Sequence, residues 1–167
     1  MIIPYVLPPE TFIKNLKRAA KLEKRITKQR SHTFYLDQIA SLTGFASWSL
    51  LHKKLDGMFF GDPQYNKLRN KINSGIARVL PHTAKDYVIH DLTTYLNNTF
   101  ERGAYPPATE TKCSYQKINV RDEIEEYYKG VYPDNLLQEA IEILEKMDSW
   151  SYDDDLIFDY DILDSGN

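Results

Sequence analysis

The chain is predicted to be mainly α: a multi-helix bundle with a helix-turn-helix-like N-terminal module and a smaller acidic helical C-terminal part. Three observations carry this expectation. Apolar residues recur at helical spacing in one segment after another, and each segment is bounded by a capping or breaking residue. Strand-like alternation is weak except near the C-terminal end. Ionic charge is also sorted along the chain: residues 1–80 hold 14 Lys and Arg against 5 Asp and Glu, while residues 81–167 hold 7 against 19. A balance of +9 thus precedes one of −12, and together they give the overall −3. Such sorting points to a charged partner, or to two halves that face each other.

The first helix is expected to begin at Pro9 or Glu10, because proline fits a first turn and an acid there complements the helix dipole. Lys14, Lys17, Arg18, Lys21, Lys24, Arg25 and Lys28 fall within about 120° of one another on a 100° wheel. Phe12, Ile13, Leu16, Ala19, Ala20, Leu22 and Ile26 occupy the rest, with Glu23 among them. Pairing with Arg30 or His32 would account for Glu23, or its stem could carry the carboxylate out to water. The cationic stripe contains the like-charged i,i+4 pairs Lys14/Arg18, Lys17/Lys21, Lys21/Arg25 and Lys24/Lys28. Together they cost about 1–2 kcal/mol unless an anion lies along them.

Ser31 or Thr33 is placed to cap a second helix from Phe34 to Leu42, with Gly44 suited to its C′ position. Ser47 caps a third from Trp48 to Leu55, stopped by Gly57. Asp62-Pro63 opens a fourth, carried by Tyr65, Leu68, Ile72, Ile76 and Val79 and ended by Pro81. A fifth spans Thr83 to Phe100, with Ala84, Val88, Leu92, Tyr95 and Leu96 inward. Gly103, Pro106 and Pro107 then mark a break. The expected organisation is a basic helical domain over 1–100, a smaller acidic helical part over 101–150 and an acidic, apolar tail over 151–167.

In the acidic part, Thr111–Val120 reads as an isolated strand or an ordered loop. Arg121–Lys129 is a short helix closed by Gly130, and Leu136–Met147 is another. Its inner side is Leu137, Ala140, Ile141 and Leu144, and its outer face carries Glu139, Glu142 and Glu145. The tail interleaves Asp153, Asp154, Asp155, Asp159, Asp161 and Asp164 with Leu156, Ile157, Phe158, Tyr160, Ile162 and Leu163. Acids alternating with large apolar groups describe a docking segment rather than a plain solvated tail.

Tyr35 to Leu55 supports a helix-turn-helix reading. Ala40 is small where two helices cross, Gly44 makes the turn and Phe45 plugs the core. Trp48, Leu51 and Leu55 would face inward, leaving Ser49, His52 and Lys53 toward a groove. The same stretch carries a likeness: Leu16, Ala20, Ala40 and then Gly44-Phe45-x-x-Trp48-x-x-Leu51. On these residues, positions 12–55 resemble the small N-terminal helical module of bacterial glyoxalase-related proteins and of uncharacterised plasmid- or phage-borne proteins. The resemblance implies a compact helical unit on a mobile element and brings no catalytic residue with it. The remaining three quarters lack the strand-rich pattern of a glyoxalase metal domain.

Composition narrows the function classes further. A single cysteine, Cys113, excludes an intrachain disulfide and fits a reducing compartment. No apolar run approaches the ~20 residues that span a bilayer, and the first residues lack a cationic leader. A cytoplasmic protein with no membrane partner is expected, its oligomeric state open. His82, Asp86 and His90 share one helix at i, i+4, i+8, a spacing that solvated faces also produce, so no metal site is assigned. No phosphate-cradling glycine loop or nucleophile motif is present, and a non-enzymatic protein without cofactors is expected.

Two functional readings follow. In the first, the chain is a small DNA-associated regulatory or accessory protein. Lys14, Lys17, Arg18, Lys21, Arg25 and Lys28 contact phosphates, and Ser49, His52 and Lys53 lie in the groove. In the second, it is a protein-binding inhibitor, of the immunity, antitoxin or anti-defence kind, whose acidic face imitates nucleic acid. Glu139, Glu142, Glu145, Asp153, Asp154, Asp155, Phe158 and Tyr160 would then meet the partner.

Overall fold

The computed structural model describes residues 7–59, 61–99 and 119–146. These form seven helices: α1 (Pro9–Thr27), α2 (His32–Ser41), α3 (Trp48–Asp56), α4 (Pro63–Val79), α5 (Ala84–Thr99), α6 (Val120–Tyr128) and α7 (Asp134–Glu145). The protein is mainly α, and no strand occurs among the described residues. Nor is any helix there long and apolar enough to cross a membrane. Contacts divide the chain into two compact units between Ala84 and Lys85.

In the first unit α1 packs on α2 and α3, and α2 packs on α3 and α4. The apolar side of α1 drives this arrangement, since Phe12, Leu16, Ala19 and Ala20 are fully buried. Burying a large apolar side chain such as Leu16 contributes about 1.5–3 kcal/mol. Small residues at the crossings (Ala19, Ala20 and Ala40) let the helix axes come close. Gly75 of α4 serves the same end, because a Cβ there would stand 2.7 Å from Leu42 Cδ2. Ile39, Leu51, Leu55, Tyr65, Ile72 and Ile76 fill the remaining interior.

Local chemistry sets the helix ends. Proline opens both α1 and α4, and the Asp62 carboxylate accepts from Gln64 N at 2.9 Å. Ser31, not Thr33, caps α2, accepting from Phe34 N at 3.0 Å. Gly44 takes φ +85°, with its N–H on the Ser41 carbonyl and the Phe45 N–H on the Ala40 carbonyl, both 3.1 Å. This bond pair is a Schellman closure, and the left-handed residue it needs is cheapest as glycine. Ser47 caps α3, and Asp37 of α2 adds a second acceptor, taking Trp48 N at 2.8 Å.

Three expectations for this unit are corrected. Glu23, only 1 % exposed, reaches neither Arg30 nor His32 and does not extend to water. Its carboxylate accepts from the His82 backbone N–H at 3.0 Å and from His82 Nδ1 at 2.8 Å. Arg30 instead stacks over the Phe34 ring at 4.9 Å, and His32 Nε2 donates to the Lys17 carbonyl at 3.1 Å. Ile26 is 46 % exposed, because the buried side of α1 runs out at Glu23. Phe45 does not plug the core; it is half-buried and lines a surface groove.

The second unit begins one residue into α5, earlier than the break expected near residue 100. The reason is that α5 shares its interior with α6 and the turn after it. Tyr95 donates to Glu123 Oε1 at 2.7 Å and meets Tyr128 edge-on at 5.3 Å. Tyr128 stacks on Tyr132 at 6.1 Å, and the Tyr132 hydroxyl donates to Asp91 Oδ2. Burial, then the negative charge of Asp91 and the neighbouring Tyr87 and Tyr128 hydroxyls, hold Tyr132 well above the ordinary tyrosine range. Val120 opens α6, capped by Asn119, and so belongs to a helix rather than a strand. Gly130 takes φ +89° as α6 closes, and α7 buries Leu137, Ala140, Ile141 and Leu144. Residues 111–118 and the 151–167 segment lie outside the described residues.

Two outcomes are expected. Glu23→Ala removes a buried acceptor from two donors and lowers unfolding stability by about 2 kcal/mol. His82→Ala, which keeps the backbone donor, costs about half as much, and urea denaturation measures both. Tyr132 stays neutral in the fold but ionises near 10.0 once unfolded. Its stabilising effect is therefore complete below about pH 10 and is lost as pH rises from there toward the raised folded value. Tyr132→Phe should flatten that alkaline decline when denaturation midpoints are compared across it.

Candidate nucleic-acid interface

Burial of the apolar side of α1 turns its cations outward. Lys14, Lys17, Lys21, Lys24 and Lys28 are exposed, and Arg18 and Arg25 are half-buried beside them. Lys28 ends the helix in the left-handed region (φ 56°), with its N–H on the Lys24 carbonyl at 2.8 Å. Glycine fills that conformation at lower cost, whereas a lysine there adds favourable charge at the C-terminal end of the helix dipole. From Lys14 to Lys28 the stripe is thus one continuous cationic edge, about four turns long by helix geometry.

Packing of α3 on α1 adds a concavity to this edge, of about 350 Å³. Lys14, Lys17, Arg18 and His52 line it together with Glu10 and Asp56. Its three lysine and arginine side chains outnumber its two acids by one. The end of α1 nearer its C-terminus, with Lys21, Lys24, Arg25 and Lys28, carries the denser positive charge. His52 is half-buried with its ring 6.0 Å from Trp48.

The three α3 residues expected to face a DNA groove have different neighbours within the protein. Ser49 is exposed, His52 turns toward α1, and Lys53 lines a second groove on the other flank of α3. Adjacent residues on a helix diverge by 100°, and both flanks of this short helix are open. Trp48, Leu51 and Leu55 point inward as expected. The connection from α2 to α3, residues 42–47, is longer than the three or four residues usual in a helix-turn-helix. Asp37 as second cap of α3 left no sequence signal, since it acts across 11 positions.

The candidate acidic surface is only partly as expected. Glu139 and Glu142 of α7 are exposed. Glu145 is half-buried and turned to α6, where Arg121 Nη2 donates to it at 3.3 Å. Arg121 also reaches Gln138 and stands 3.8 Å from Glu125, so the α6–α7 pair neutralises part of its own charge. Asp153, Asp154, Asp155, Phe158 and Tyr160 lie outside the described residues. Of the spaced metal-type residues, His82 is held by Glu23 and His90 is buried. Among the described residues no three His, Cys, Asp or Glu side chains come together in a ligand-like group.

No family model, curated protein or solved structure matches the chain.

The stripe's own electrostatics give a direct expectation. Lys21→Glu turns two like-charged i,i+4 pairs into attractive ones and should raise stability by about 1 kcal/mol at low ionic strength. The gain should shrink in high salt, and paired denaturation curves at the two salt concentrations measure it.

Proposed function

We propose that this protein is a non-enzymatic, DNA-associated regulatory or accessory protein that meets the phosphate backbone along α1. The observation that carries the reading is the exposed cationic edge, continued by His52 in the concavity between α1 and α3. Like charges at four successive i,i+4 spacings destabilise an isolated helix, and phosphates laid along them reverse the sign of that effect. Backbone contact of this kind positions a protein on a duplex without reading its sequence. Ser49, exposed on α3, and Lys53, exposed where it borders the second groove, are the side chains best placed to touch base edges. The likeness of residues 12–55 to modules of plasmid- and phage-borne proteins supports placing it on a mobile element.

The alternative, an inhibitor presenting an acidic face, draws support from Glu139 and Glu142, which are exposed on one side of α7. It is the weaker reading within the described residues because Glu145 is engaged by Arg121.

The test is duplex binding followed through a salt titration. Contacts from Lys14, Lys17, Arg18, Lys21, Arg25 and Lys28 should give a log–log salt slope of about −5. Replacing Lys14, Lys17 and Lys21 by alanine should reduce its magnitude by about 3. Absence of binding by the full chain at ~50 mM salt, where such contacts are strongest, removes the proposal.

A further inference from the structure

The second groove, between α3 and the start of α4, has different chemistry from the α1 edge. It encloses about 570 Å³, with Phe45, Leu50 and Met58 as its apolar lining and Lys53 and Lys54 as its cations. Asp62 also lines it, but its carboxylate is engaged by the first turn of α4. Leu50 is 50 % exposed although it lies mid-helix in α3. Phe59, next to Met58 in sequence, is 66 % exposed. A turn closed by the Asp62 N–H on the Phe59 carbonyl at 3.0 Å holds it out, with its ring against Gly61. These are two of the four large apolar side chains exposed among the described residues. An isolated exposed apolar residue needs no explanation, but two beside one apolar groove mark an interaction surface.

We infer that this groove is a docking site for a short segment of a separate protein in which carboxylates alternate with large apolar side chains. Apolar side chains of such a segment would enter beside Leu50, Met58 and Phe45, and its carboxylates would meet Lys53 and Lys54. The two lysines outnumber the one aspartate of the lining, which favours an acidic peptide over a basic one. A single-stranded nucleic acid is the poorer fit, because Leu50 and Met58, which give a base no face to stack on, make up most of the apolar lining beside Phe45. The groove lies on the flank of α3 opposite His52, so this inference does not rest on duplex binding along α1.

The experiment uses the full chain and a labelled synthetic peptide in which aspartate alternates with leucine, followed by fluorescence anisotropy. Binding with a Kd below about 100 µM is expected. Leu50→Ser and Lys54→Ala should each weaken it, the first at least tenfold. Both residues are exposed, so neither substitution disturbs the fold. A peptide with its apolar residues replaced by serine should not bind, and Lys14→Ala/Lys17→Ala/Lys21→Ala should leave binding within about twofold, since the α1 attraction is non-specific. Three results overturn the inference. One is no binding by the full chain, including the case where the groove is already filled within the same molecule. Another is binding that Leu50→Ser leaves unchanged. The last is stronger binding of single-stranded oligothymidine, lost with Leu50→Ser.

Discussion

Phe12, Leu16, Ala19 and Ala20 of α1 lose all contact with solvent, and a helix that buries one side must turn the other outward. In α1 the other side is almost entirely lysine and arginine. Hydrophobic burial therefore compels the display of seven like charges along one edge. Their mutual repulsion is small beside the burial of even two or three core side chains, so the fold tolerates the stripe. What the scaffold supplies is a row of cations along one helix edge.

The polar interior of each unit fastens elements that lie far apart in the chain. Glu23 ties the middle of α1 to the turn after α4 through two donors of one residue, 59 positions away. A carboxylate in an apolar setting is tolerable only because both bonds are made, which restricts how the end of α4 can return to α1. The second unit uses tyrosines in the same manner. Tyr95, Tyr128 and Tyr132 supply ring area to the interior, while Glu123 and Asp91 take the hydroxyls of Tyr95 and Tyr132. Such groups make the interior specific rather than simply apolar.

α3 gives the first unit its two different flanks. Its inward side is Trp48, Leu51 and Leu55, and three buried positions on a nine-residue helix leave most of its circumference open. One flank, with His52, joins the cationic edge, and the other, with Leu50 and Lys54, joins an apolar groove. The acidic helices are less polarised than their composition implies, since Arg121 bridges Glu125 and Glu145 across α6 and α7.

Much of this was legible from residues alone, because helices are local. Pro9, Ser31, Gly44, Ser47 and Asp62 act within a turn of where they stand, and periodicity places Leu16, Ile72 and Ile141 on inner faces. The cationic edge was readable for the same reason, being a wheel property of one helix. Contacts that join distant positions left no such trace. Glu23 with His82, Asp37 with the start of α3, and Asp91 with Tyr132 each depend on where whole helices cross, and many polar partners within reach would satisfy the same side chain. The parting of His52 from Lys53 is of this kind too: their 100° separation is intrinsic to the helix, but which neighbour stands on either side of it follows from packing.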